Sequence, residues 1–139
     1  MKLKILTPKK VVLEEEITSI TAPGADGEVT ILPHHVSLFI LLKEGVVKIL
    51  SEKEESFFSI GGGYLETDGK EVNLLVSRAY GQDEIDEAEV VKAQQEAERY
   101  LKEAKTDTDR QQAMEMLHRS LIDSKLLSKV KHRRRTQIS

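Results

Sequence analysis

Residues 21–36, TAPGADGEVTILPHHV, decide the fold, because they join turn chemistry, a strand and a pair of histidines in one short span. Pro23-Gly24 and Asp26-Gly27 are turn dipeptides. Proline presets φ near its turn value and glycine accepts φ > 0, so the chain must reverse there. Glu28 opens the strand that follows. Val29 and Ile31, with Ile17 and Ile20 before the turn, can reach a common core, which leaves Glu28 and Thr30 pointing away from it. Leu32-Pro33 ends the strand and His34-His35 follow, so the stretch reads as a presented edge.

The pattern on either side is also short β segments separated by turns. Leu3, Ile5 and Thr7 alternate with Lys2, Lys4 and Leu6 until Pro8, which cannot donate to a ladder. Val11 to Leu13 and Ile17 to Thr21 bracket Glu14-Glu15-Glu16, an acidic run that reads as a solvated hairpin. Val36 to Leu42 is continuously apolar and predicts a strand covered on both faces. Val46 to Leu50 makes the return strand, and Phe57, Phe58 and Ile60 are expected in the core. Gly61-Gly62-Gly63 lacks the Lys-Ser/Thr of a phosphate-binding loop and precedes no helix, so it predicts a bulge or a close strand approach. Asp68-Gly69 marks one more hairpin before Val72, Leu74 and Val76. Short strands at this spacing, with no helix between them, predict an antiparallel β-sandwich or flattened barrel over residues 1–81.

The character changes at Gln82. No glycine or proline follows Gly81, and apolar residues recur at helical spacing. Asp83 is the expected cap of a first helix bearing the stripe Val90, Ala93, Ala97, Leu101 and Ala104. Thr108 with Gln111 fits a capping box for a second, with Met114, Leu117, Leu121, Ile122, Leu126, Leu127 and Val130 as its stripe. The expected fold class is therefore α+β, with residues 82–139 forming a two-helix (αα) hairpin behind the sandwich. An alanine-rich stripe buries little area, so this hairpin should be marginal alone. Two readings stay open: a pair of helices that switches between docking sites, and one permanently folded down.

Charged residues make up 32% of the 139 residues and aromatics 4%, so the core must be aliphatic. A net charge of -3 argues against wholesale nucleic-acid binding, although Lys125, Lys129, Lys131, Arg133, Arg134 and Arg135 close the chain without an intervening acid. A nucleic-acid-binding module using that basic tail is the alternative function, and an acidic protein surface suits the tail equally well. The absence of cysteine removes disulfides and thiolate metal sites and suits a reducing compartment. No apolar run approaches the roughly 20 residues of a membrane helix, so a soluble, cytosolic chain is expected. Adjacent His34 and His35 point to opposite faces if extended, and His118 and His132 are too far apart for i,i+4 pairing, so no metal or other cofactor is expected. The serines lack a nucleophile-elbow context and the carboxylate runs lie in polar surroundings, so no catalytic site is expected.

Ala22-Pro23, Asp26-Gly27-Glu28 and Ile31-Leu32-Pro33 with His35 resemble the signature of the epsilon subunit of F-type ATP synthases. Leu38 to Val47 (LFILLKEGVV), Gly61 to Glu66 (GGGYLE) and Asn73 to Ala79 (NLLVSRA) fall in that family's order and spacing, so the resemblance spans nearly the whole chain. It implies a non-catalytic rotor subunit whose sandwich grips the gamma subunit and rests on the c-ring. By the same resemblance Glu28 is the c-ring contact and His35 the gamma contact. The hairpin can extend into the catalytic head and inhibit ATP hydrolysis, with Lys129, Lys131, Arg133, Arg134 and Arg135 facing beta (and alpha) subunits. Some relatives bind ATP through a motif written I/L-D-x-x-R-A. Here Asp86 is present but Glu89 replaces the arginine, which implies weak or absent ATP binding. Thr30 and His34 stand where the family usually has glycine. The implied location is peripheral, on the cytoplasmic face of the cell membrane or the stromal face of the thylakoid in a plastid.

Overall fold

The computed structural model describes residues 1–34 and 37–138, with side chains described up to residue 130. The chain divides into two units, Met1–Gln82 and Asp83–Ser139.

The first unit carries ten strands: β1 (Lys2–Leu6), β2 (Val11–Glu16), β3 (Ser19–Gly24), β4 (Gly27–Ile31), β5 (Leu38–Leu42), β6 (Gly45–Leu50), β7 (Glu55–Ile60), β8 (Gly63–Thr67), β9 (Glu71–Val76) and β10 (Ala79–Gly81). Hydrogen-bonded neighbours run β10-β7-β6-β3-β5-β8-β9-β1-β2, with β4 added on β3. The β3–β5 step rests on one residue pair, Gly24 with Leu42. It therefore separates a β10-β7-β6-β3-β4 sheet from a β5-β8-β9-β1-β2 sheet. Period-2 alternation turns Leu3, Ile5, Leu65, Val72 and Leu74 of one sheet and Ile20, Ile31, Val47, Ile49 and Ile60 of the other into a single buried aliphatic core. One pairing departs from the expected antiparallel pattern: β1 runs parallel to β9.

Three local expectations need correction. Glu14–Glu16 are not in a turn but inside β2, where the register sets Glu14 opposite Lys4 and Glu16 opposite Lys2. Lys2 Nζ donates to Glu14 Oε1 at 2.9 Å, so cross-strand charge pairing accommodates the acids within the ladder. β5 is not covered on both faces, because Phe39 and Leu41 are 59% and 61% exposed. Phe57 is buried, yet alternation sets it on the face opposite Phe58, and only Phe58 packs against the core cluster. The glycine run serves close approach, as expected: a Cβ on Gly63 would clash with the Leu75 carbonyl oxygen.

The second unit holds α1 (Glu87–Glu103) and α2 (Asp107–Ile138), which pack on one another. Asp83 falls in a 3-10 turn (Gln82–Glu84), and α1 is capped instead by Asp86, whose Oδ1 accepts from the Ala88 and Glu89 amides at 2.8 and 3.4 Å. For α2 the cap is Thr106 rather than Thr108, with Thr106 Oγ1 accepting from the Asp109 amide at 3.0 Å. The expected stripes hold in part, since Val90 and Ala97 of the first are buried. Ala93, Met114 and Leu121 are exposed instead, and Ala113 and Ser120, which lie outside the expected stripes, are buried. Ile122, Leu126 and Val130 recur at four-residue spacing and are buried.

Candidate interaction surfaces

The β3–β4 hairpin closes through Ala25 and Asp26, with Gly24 paired to Gly27 and Pro23 to Glu28. Gly27 has φ 136, a value that side chains rarely adopt, so glycine sets the turn. Beyond it the alternation is as expected: Ile31 is fully buried, Val29 packs against the core, and Glu28 and Thr30 are exposed. Thr21 and Thr30 pair across the ladder, their Oγ1 atoms 2.9 Å apart. The Glu28 carboxylate thus stands beside a turn, on a strand paired to β3, and faces away from the core.

The linker after β4 is pinned by His34, whose amide donates to the Gly69 carbonyl at 3.0 Å. His34 has φ 66, the left-handed region, which explains why the resemblance sets glycine at this position. His35 lies outside the described residues, as do the side chains of Lys131, Arg133, Arg134 and Arg135. Lys129 is described and is partly exposed. Asp86 is occupied in capping α1, and Glu89 is exposed in the first helical turn, where its charge suits the dipole.

One surface was missed by sequence reasoning. The register sets Leu41 beside Tyr64, Tyr64 beside Leu75, Leu75 beside Leu6 and Leu6 beside Val11, an apolar row across five strands. It runs along the face opposite the core. Leu41 is 61% and Val11 50% exposed, and Phe39 stacks on Tyr64 with ring centroids 5.0 Å apart. The next row, Phe39, Glu66, Asn73, Lys4 and Glu14, is mostly polar, so the apolar strip has a charged border. A contiguous strip of this kind with a polar rim has the composition of a protein interface. The signal was the apolar residue at every position of β5, which a doubly covered strand shares.

Among the described residues no three His, Asp or Glu side chains gather in a way that holds a metal ion. No described helix is long and apolar enough to cross a membrane.

The sequence model of the family described as "ATP synthase, Delta/Epsilon chain, beta-sandwich domain" matches residues 1–82. An ATP synthase epsilon chain of Desulforamulus reducens is 35% identical over 120 residues, covering 86% of this chain and 91% of that one. The chain belongs to the ATP synthase epsilon family. An Acinetobacter baumannii epsilon chain is 31% identical over 134 residues, 96% of each chain. Among solved structures, a chain of the Euglena gracilis mitochondrial ATP synthase superposes with a TM-score of 0.76 at 22% identity, covering 92% of this chain and 79% of that one, which supports the fold. Epsilon chains are non-catalytic subunits of the ATP synthase stalk, and an α+β fold with a β-sandwich and two helices is what this sequence forms.

Proposed function

We propose that this epsilon chain is a rotor and regulatory subunit of the central stalk, coupling c-ring rotation to the catalytic head and restraining ATP hydrolysis through its helical hairpin. The observation that carries the reading is the outward-facing apolar row Leu41, Tyr64, Leu75, Leu6 and Val11, exposed at its two ends and half-buried between them, with exposed Phe39 beside it. Solvent-facing apolar area of this kind is stabilised by a partner, and the gamma subunit is the partner this reading assigns. Rigid sheets suit the task, because load must pass through the sandwich without reshaping it. Glu28, exposed beside its turn, would meet the polar loops of the c-ring by charge-assisted hydrogen bonds. His35 would add to the gamma contact.

Lys129, Lys131, Arg133, Arg134 and Arg135 are assigned to acidic helices of the beta (and alpha) subunits when the hairpin is extended. ATP binding is expected to be weak or absent, since Asp86 is used as a helix cap and Glu89 would repel a polyphosphate. The subunit would sit peripherally on the cytoplasmic face of the cell membrane, or the stromal face of the thylakoid in a plastid. Co-purification with gamma tests the rotor role, and loss of a stoichiometric complex overturns it. Truncation after Leu127 tests the inhibitory role in the assembled enzyme, and unchanged hydrolysis counts against the basic residues.

A further inference from the structure

We propose that the Glu44–Arg78 ion pair is a mechanical link that joins the Glu28-bearing β3–β4 hairpin to β10, the last strand before the helical unit. Glu44 lies in the β5–β6 turn and Arg78 in the β9–β10 connection, so the pair spans 34 positions of sequence. Arg78 Nη2 donates to Glu44 Oε2 at 2.8 Å, with the side chains 23% and 31% exposed. Such an ion pair is screened by salt less than a surface one.

Each side of the pair is tied onward by further hydrogen bonds and contacts. On the Glu44 side, the Lys43 amide donates to the Pro23 carbonyl at 3.0 Å, and the Ala25 amide to the Leu41 carbonyl at 2.9 Å. Gly45 abuts Pro23 so closely that a Cβ there would lie 2.9 Å from the ring Cγ. Pro23 is the residue paired with Glu28. On the Arg78 side, the Arg78 carbonyl accepts from the Gly61 amide at 2.9 Å, and the next residues, Ala79 to Gly81, pair with Ile60 to Phe58 of β7. Gln82, which ends the first unit, accepts from the Phe57 amide at 3.1 Å through Oε1. From Glu28 to the root of the hairpin there is thus a continuous chain of named contacts, and Glu44–Arg78 is its one side-chain ion pair.

The chemistry of Arg78 fits a held position. Burial alone would lower its guanidinium, and the Glu44 carboxylate and Tyr80 hydroxyl outweigh that and hold it above its ordinary value. Its Nε is buried and meets no hydrogen-bond acceptor among the described residues. Glu44 and Tyr80 together hold the guanidinium, and the Glu44 carboxylate is the charged partner of the two.

The link rests on the rotor reading only for its use, which is to brace the β3-β6-β7-β10 ladder with a second path from the ring-facing turn to the strand from which the helices depart. The test is hydrogen exchange on the full chain, with β1 and β9 amides as the reference for global opening. Arg78→Gln is expected to speed exchange at Ala25 and Lys43, and Glu44→Gln to speed it at Gly61, each about tenfold, which is the loss of one charge-assisted hydrogen bond. The double variant is expected to match either single one. Changes confined to the element carrying the substitution, or additive effects in the double variant, overturn the link. If Arg78→Gln fails to fold, Arg78→Lys replaces it, since lysine keeps the charge but loses the planar fork, and the same outcomes decide. A negative result leaves the rotor role standing, while failure to bind gamma would sink that role and leave the link intact.

Discussion

Phe39→Ala is the substitution that most directly tests the apolar outer face. Phe39 is 59% exposed, and a buried aromatic side chain removes about 150–250 Å2 from water, so a partner covering the ring would bury about 90–150 Å2. At about 25 cal/mol per Å2 this is about 2–4 kcal/mol, equivalent to a Kd weakened about 30- to 700-fold. The isolated chain loses much less. The ring is outside the core cluster, and its stack on Tyr64 is worth about 0.5–1.5 kcal/mol. Titration calorimetry of the purified chain with gamma, beside thermal melts of each chain alone, separates the two effects. A Kd within about threefold of wild type would refute the assignment of this face, because an exposed ring that loses no affinity on removal is not covered in the complex.

Gly63→Ala should destabilise the sandwich by about 1–3 kcal/mol or more, since the new Cβ meets backbone atoms that cannot yield, whereas Gly62→Ala, with a nearest contact of 3.5 Å, should be near neutral; thermal melts compare them. His34→Gly relieves left-handed strain of about 1–2 kcal/mol against the entropy glycine adds to the unfolded chain, so the melting temperature should hold or rise. A fall would mean that the imidazole makes contacts of its own. Burial, helped by the nearby Glu54, pushes the Glu15 carboxyl up, so its contribution is fully present below the ordinary glutamate range and is lost as pH rises through the raised value. Glu15→Gln should therefore stabilise at neutral pH and lose that advantage in acid, as denaturant midpoints across pH would report. Asp86→Ala should cost the helical unit about 1 kcal/mol and lower helicity by circular dichroism.

Much of the sandwich was legible because period-2 alternation is a strong signal wherever the two faces differ. Val29 and Ile31 against Glu28 and Thr30 is such a case, and the Glu28 position followed from it. The reading failed where the faces do not differ. In β5 both are apolar, and no sequence pattern separates a strand buried twice from one whose outer face awaits a partner. Helix starts failed for another reason. Asp83 and Asp86, or Thr106 and Thr108, offer equivalent acceptors, and the path of the chain selects Asp86 and Thr106. The acidic run hid its strand because its partners, Lys2 and Lys4, are distant in sequence. The Glu44–Arg78 pair was invisible for the same cause, as nothing local ties a turn glutamate to an arginine after β9.

The two sheets share ladder pairing at one point, Gly24 with Leu42. Beside that pairing and the hydrogen bonds of the connecting segments, shear of one sheet over the other is opposed by the interlocked side chains of Ile5, Ile20, Ile49 and Leu74. Torsional stiffness in a body built this way depends on how densely those aliphatics fill their space, so a cavity-forming change deep inside would soften it under twist while every strand kept its hydrogen bonds.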